Sequence, residues 1–134
     1  AAGCSPVRTT VSPDGQTVWV AARGDDKVLA FSTSLLESDP THSLLGVVDS
    51  GGKAPVGLAL FSGGKRMAVA NSNRLGGATA KGNLTLLDAD PHSPKLTASV
   101  PATYFPRSIS VAEDGQTLFL TVYNGGQVQV VTTE

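Results

Sequence analysis

Two arginines, Arg8 and Arg107, stand just after prolines in similar segments, Pro6-Val7-Arg8 and Pro106-Arg107. A guanidinium group is a planar fork of N–H donors that binds carboxylate or phosphate through paired hydrogen bonds. If both segments begin strands that line a common channel, the two cations face that channel and predict a site for a small anion. Each arginine could instead bond backbone carbonyl groups or point into solvent, and the sequence alone favours this second interpretation.

Further candidate side chains lie in the loops after the second apolar segment of each repeat. These loops are expected to open on the same end of the molecule as Arg8 and Arg107, and loops on a rigid scaffold often carry binding residues. The segment 71–82 is the longest of them and departs most from the repeat. No catalytic residue is assigned, and the predicted ligand-binding face adds Arg23, Asn71, Asn73, Arg74, Tyr123 and Asn124.

Other residue types that commonly do chemistry are sparse. His42 and His92 lie beside prolines in neighbouring repeats but lack the further ligands that a metal site needs, so neither a metal nor a cofactor is predicted. Cys4 is the only cysteine, and we interpret it as a small buried thiol. The sequence patterns of serine hydrolases, zinc proteases and phosphate-binding loops are absent.

The charge balance excludes some classes of partner. The formal net charge is −1, and the lysines and arginines are scattered singly. A nucleic-acid-binding surface needs clustered basic residues, so we expect no nucleic-acid partner. No apolar segment is long enough to cross a membrane.

A repeat that occurs three times sets the positions of these residues. Its centre is a tight turn, Pro13-Asp14-Gly15 in the first copy, which the apolar segment Val18-Trp19-Val20 follows. Alternation of apolar with small or polar residues on both sides of the turn is typical of a β-hairpin with one buried face. The turns recur at intervals of about 50 residues, the period of a four-stranded β-propeller blade. The turn glycines are Gly15, Gly64 and Gly115, and the preceding prolines are Pro6, Pro55 and Pro106.

The sequence therefore predicts an all-β protein made of four-stranded antiparallel propeller blades. The first blade is expected at about residues 5–50 and the second at about 54–101, and an incomplete third blade at about 105–134. The best candidate for a helix is the short segment 32–39.

Three segments of the first copy resemble the YVTN-type propeller repeat: Pro6-Val7-Arg8, Val11-Ser12-Pro13-Asp14-Gly15 and Val28-Leu29-Ala30-Phe31. That repeat occurs in YncE-like and bacterial surface-layer-like proteins and in the related lactonase-type seven-bladed propellers. The second copy departs from it, because Ser62-Gly63-Gly64 replaces the Ser-Pro-Asp-Gly turn. The resemblance implies a closed ring, so further blades or self-association must complete it.

The resemblance implies two alternative functions. The first is a non-enzymatic scaffold, in the periplasm or at the cell surface, whose loops bind an unidentified protein or a small anionic molecule. The alternative is a part of a lactonase-type hydrolase that opens a sugar lactone. Against the alternative, the predicted ligand-binding face contains no His or Glu suited to act as a general base. The fold does not decide between them, because propellers host many unrelated activities.

Overall fold

The computed structural model describes residues 1–77 and 79–133, and it consists mainly of β-strands. Three antiparallel sheets follow one another along the chain, and in each sheet the strands lie side by side in sequence order. The prediction of an all-β fold of propeller blades is confirmed, and the third sheet has three described strands.

The first sheet contains β1 (Pro6–Val11), β2 (Thr17–Ala22), β3 (Lys27–Ser32) and β4 (Leu44–Asp49). The second contains β5 (Pro55–Phe61), β6 (Arg66–Asn71), β7 (Lys81–Asp88) and β8 (Lys95–Tyr104). The third contains β9 (Pro106–Val111), β10 (Thr117–Val122) and β11 (Gln127–Thr132).

Side chains within the first hairpin turn hold it closed. Asp14 Oδ1 accepts hydrogen bonds from the Ser12 hydroxyl at 2.6 Å and from the backbone N–H of Gln16 at 2.9 Å. These bonds hold the pKa of the Asp14 carboxyl below its usual value. Gly15 takes the positive φ, 73°, that a tight hairpin turn requires.

The hairpin turns of successive sheets also touch one another. The backbone N–H of Ser62 donates to the carbonyl oxygen of Gly115 at 3.0 Å. Gly64 packs so closely on Pro13 that an added Cβ would lie 2.6 Å from the Pro13 Cδ. Contacts between successive turns therefore hold this end of the molecule together.

The sheets pack face to face, and the apolar core lies between them. One buried cluster joins the first sheet to the second, and another joins the second to the third. Large side chains of the first cluster are Trp19, Met67 and Leu87, and those of the second are Phe61, Leu84, Leu118 and Leu120. Strand β5 contacts both β1 and β9, so the three innermost strands lie next to one another.

The prediction of hairpins with one buried face is correct for β10 but wrong for β6. Strand β6 is buried on both faces from Met67 to Asn71, because the second sheet lies between the other two. Trp19, on the face opposite Val18 and Val20, is only 1% exposed because it packs on the second sheet. Phe119, at the same place in the third repeat, is 40% exposed. Burial thus depends on the neighbouring blade and not only on alternation.

A short helix follows β3, close to where the sequence predicts one. Helix α1 (Thr33–Ser38) begins after Ser32, whose hydroxyl oxygen accepts a hydrogen bond from the backbone N–H of Leu35 at 3.3 Å. Within the described part of the chain, no helix has the length and apolar character that crossing a bilayer requires.

Candidate functional site

The innermost strands β1, β5 and β9 each begin at a proline and are irregular within their first residues. In β1, Pro6 pairs with Ala22 and Arg8 with Ala21, so Val7 is an additional residue. The pairing of β5 and of β9 shifts at the same place. Such β-bulges redirect side chains and are frequent beside functional sites. The residues directly after the three prolines are Val7, Val56 and Arg107, and all of them line one pocket.

The residue before each proline takes a left-handed backbone conformation that residues other than glycine rarely adopt. The φ angles are 54° for Ser5, 53° for Ala54 and 60° for Phe105. Each of these residues accepts a backbone hydrogen bond from the first residue after the second strand of its own sheet. The donors are Arg23 to Ser5 at 3.0 Å, Ser72 to Ala54 at 3.0 Å and Tyr123 to Phe105 at 2.9 Å. This repeated clamp ties each loop to the start of its innermost strand.

A pocket of about 370 Å³ opens among these segments, and we call it the arginine pocket. Its lining comes from all three sheets and consists of Val7, Arg8, Arg23, Val56, Arg74, Phe105, Arg107 and Tyr123. Five of the side chains predicted for the ligand-binding face therefore lie together: Arg8, Arg23, Arg74, Arg107 and Tyr123.

The Arg8 side chain both bonds a backbone carbonyl group and lines the pocket. Its Nε donates to the carbonyl oxygen of Val56 at 3.2 Å, a bond that crosses from the first sheet to the second. The same side chain lines the arginine pocket. One hydrogen bond to a carbonyl thus orients Arg8 toward the space that it shares with three further arginines.

Two aromatic rings of the pocket each contact the guanidinium of one arginine. The guanidinium of Arg74 lies 5.5 Å from the ring centroid of Phe105, and that of Arg107 lies 5.5 Å from the centroid of Tyr123. The rings of Phe105 and Tyr123 are themselves 5.5 Å apart and inclined by 50°. Cations are attracted to aromatic faces at such distances, and ring pairs favour such tilted arrangements. The four side chains therefore form a continuous row along the pocket wall.

The arginine pocket carries an uncompensated positive charge. Its lining contains four arginines and no carboxylate. None of the three ion pairs among residues 1–77 and 79–133 involves a pocket arginine. Like charges around a shared cavity repel one another and attract anions. Guanidinium groups suit carboxylate and phosphate in particular, because their donors match both oxygens of one group.

Asn71, which the sequence predicts to bind a ligand, is not brought to the arginine pocket. Its side chain is fully buried at the end of β6. Its Nδ2 donates to the carbonyl oxygen of Ser50 at 3.1 Å and to the Oγ1 of Thr85 at 3.1 Å. Asn71 therefore fastens the segment that links the first sheet to the second.

Asn73 and Asn124 lie beside the arginine pocket. Both line an adjoining pocket of about 210 Å³, which shares Arg74 and Phe105 with the larger one. Asn73 also donates through its Nδ2 to the carbonyl oxygen of Lys81 at 3.1 Å, which closes the long loop between β6 and β7. The structure thus places both asparagines at the predicted end, next to the row of arginines and rings.

Phe105, Val7 and Val56 line the arginine pocket but are not among the residues predicted for the ligand-binding face, and Phe105 is the one with an aromatic ring. It stands directly before Pro106, where the other two repeats have the small residues Ser5 and Ala54. A large ring at a repeat position that small residues otherwise occupy was the available signal.

No metal centre is found in the part of the chain that the structure describes: no group of three or more His, Cys, Asp and Glu side chains could hold an ion. His42 instead contacts Asp39, with 2.8 Å between Nδ1 and Oδ2. Cys4, which we interpreted as buried, is exposed.

Comparison with known proteins points to one family. Residues 4–102 match the family described as "Lactonase, 7-bladed beta-propeller". No curated protein sequence matches the chain.

Solved structures share the fold at low sequence identity. A putative 6-phosphogluconolactonase from Bacteroides fragilis superposes with a TM-score of 0.81 at 15% identity, and one from Bacteroides uniformis with 0.78 at 18%. Both comparisons cover 100% of this chain but only 36% and 38% of the other chain. A structure of the mitotic checkpoint complex matches with a TM-score of 0.74 at 12% identity, over 93% of this chain and 36% of that one. The chain thus spans little more than a third of these structures, and the similarity shows the fold alone.

Proposed function

This chain belongs to the family of lactonase seven-bladed β-propellers, and we propose that it supplies the anion-binding part of an enzyme that hydrolyses a sugar lactone. The observation that carries the proposal is the arginine pocket, with four guanidinium groups and no carboxylate in its lining. A sugar lactone that bears a carboxylate or a phosphate has the charge that this pocket attracts.

Hydrolysis of a lactone adds water to the acyl carbon and breaks the bond between that carbon and the ring oxygen, which yields a hydroxy acid. Negative charge develops on the carbonyl oxygen in the transition state, and N–H donors aimed at that oxygen stabilise it. Arginines of the pocket that do not hold the anionic group of the substrate supply such donors. The general base is expected from the blades that complete the ring, since the described lining contains neither His nor a carboxylate.

The same lack of a base supports a second candidate function, a non-enzymatic scaffold that binds a small anion. Such a protein needs the arginine pocket but no group that activates water. Both functions predict anion binding, and only the first predicts turnover.

Kinetic assays separate the two functions. They use the assembled propeller, in which further blades or self-association complete the ring. We expect it to hydrolyse 6-phosphoglucono-δ-lactone faster than the uncharged glucono-δ-lactone, and we expect Arg8→Ala and Arg107→Ala to abolish turnover of the phosphorylated lactone. Arg66→Ala is the matched control, because Arg66 stacks on Phe61 at 4.9 Å and does not line the pocket. Binding of inorganic phosphate without turnover of either lactone would leave the scaffold function and overturn the enzymatic one.

A further inference from the structure

We propose that Tyr123 recognises the ring of the ligand and that Phe105 positions Tyr123 and Arg74. The arginine pocket would then select molecules that join a saturated, sugar-type ring to an anionic group. The inference rests on the proposed anion-binding function and extends it by naming the residue that selects the ring.

The first argument is the exposure of Tyr123. Tyr123 is 64% exposed although it carries a large aromatic ring and lines the pocket beside four cations. The guanidinium of Arg107 lies over this ring, so a group that binds Arg107 comes close to the ring as well. The C–H face of a saturated ring packs favourably on an aromatic face because apolar area is removed from water on both sides.

The second argument is the number of contacts that Phe105 makes. Its carbonyl oxygen accepts the backbone N–H of Tyr123 at 2.9 Å, and its ring contacts both the Tyr123 ring and the Arg74 guanidinium. Phe105 thereby fixes the positions of both the backbone and the ring of Tyr123. It does so with a φ of 60°, a conformation that a bulky residue keeps only when its surroundings determine it.

The third argument is that this row of rings occurs in one repeat only. The positions of Phe105 and Tyr123 are occupied by Ser5 and Arg23 in the first repeat. In the second repeat they are occupied by Ala54 and Ser72. The same backbone clamp is present in all three repeats, so the clamp does not need aromatic side chains. The rings of the third repeat are therefore additional to what the fold requires.

Calorimetric titration of the assembled propeller with three probes tests the inference. The probes are glucose 6-phosphate, which has a ring and an anion, inorganic phosphate, which has only the anion, and glucose, which has only the ring. We expect glucose 6-phosphate to bind about tenfold more tightly than phosphate, and glucose to bind most weakly. Tyr123→Ala should weaken glucose 6-phosphate binding about tenfold and phosphate binding less than threefold, and Tyr123→Phe should restore the tighter binding.

Phe105→Ala tests the positioning role. It should weaken the binding of both phosphate and glucose 6-phosphate, because Arg74 and Tyr123 lose their contacts with the Phe105 ring. Tyr104→Ala is the matched control, since Tyr104 is the other tyrosine and does not line the arginine pocket. Tyr123→Leu keeps apolar bulk without a flat face and replaces Tyr123→Ala if that variant does not fold.

Two results would overturn the inference, and they differ in what else they affect. Suppose that phosphate binds the wild-type protein, but Tyr123→Ala weakens the binding of glucose 6-phosphate and of inorganic phosphate equally, or weakens neither. Tyr123 then does not select the ring, and anion binding stands. If neither phosphate-containing probe binds the wild-type protein, the proposed function fails together with the inference.

Discussion

Gly57 packs directly against the backbone carbonyl of Arg107, and this contact sets the spacing of the innermost strands β5 and β9 at the mouth of the arginine pocket. A Cβ added to Gly57 would overlap that carbonyl oxygen and would lie 3.0 Å from the Cβ of Ala70. In the first repeat, Arg8 occupies the same place, two residues after its proline. One repeat position thus provides a cation in the first blade and a close backbone approach in the second.

We expect Gly57→Ala to lower the free energy of unfolding by about 1–3 kcal/mol, because backbone atoms must move to accept the methyl group. It should also weaken phosphate binding, because Arg107 moves with β9. Chemical denaturation and phosphate titration measure the two effects. Gly63→Ala at the opposite end is the control: an added Cβ there meets nothing within 4 Å, so only its positive φ opposes the change. A Gly57→Ala protein as stable as the wild type would contradict the prediction.

Repulsion among the pocket arginines should make stability depend on anions. Arg23→Gln removes one of four clustered charges, so in buffer without multivalent anions we expect an increase in unfolding free energy of up to about 1 kcal/mol. Phosphate should raise the Tm of the wild type more than that of the variant, since at a given concentration a ligand stabilises the folded state more when it binds that state more tightly. Lys65→Gln removes a charge at the opposite end and should respond to phosphate like the wild type. A larger phosphate effect on Arg23→Gln than on the wild type would contradict this prediction.

Replacing Asn71 should reduce stability without affecting the ligand. Asn71→Ala removes two buried hydrogen bonds, to Ser50 and Thr85, and we expect the free energy of unfolding to fall by about 1–3 kcal/mol. Phosphate affinity should stay at the wild-type value, since Asn71 does not line the pocket. Urea denaturation and calorimetry give the two quantities. Asn124→Ala, at an exposed position, is the control and should change the free energy of unfolding by less than about 0.5 kcal/mol. An equally small effect of Asn71→Ala would refute the structural role of Asn71.

The hairpin carboxylates predict acid sensitivity. Hydrogen bonds from the side chains of Ser12 and Thr117 lower the pKa of Asp14 and Asp114, respectively, below the usual value of 3.8. When the folded-state pKa is the lower one, the unfolded chain takes up the proton first. The stabilisation is therefore fully present above the unfolded-state pKa and is lost as the pH falls through the lower folded-state pKa.

Thermal unfolding at a series of pH values from 7 down to about 2 measures this loss. The double variant Asp14→Asn and Asp114→Asn should show a smaller fall in Tm below about pH 4 than the wild type. Asp88→Asn, a carboxylate variant outside the hairpin turns, is the control. Identical pH profiles for the wild type and the double variant would remove the turn carboxylates as the cause.

The blade architecture was determined by the sequence itself. Each hairpin depends on residues close together in the chain, such as Asp14 and Gly15 in a turn and alternating apolar residues on either side, so local patterns suffice to predict it. The period of about 50 residues then identified the propeller. The same repeat placed Arg8, Arg107 and Tyr123 at one end, because equivalent positions in successive blades have equivalent locations.

Only the tertiary structure decided which of these side chains meet. Asn71 is buried because the segment after the first sheet covers it, and Trp19 is buried whereas Phe119 is exposed because a neighbouring sheet covers one and not the other. Phe105 lies between the second and third sheets and contacts both Arg74 of the second repeat and Tyr123 of the third. The physical reason is that contacts between blades join residues far apart in the chain. The packing of whole sheets sets these contacts, and no local pattern of residue types encodes it.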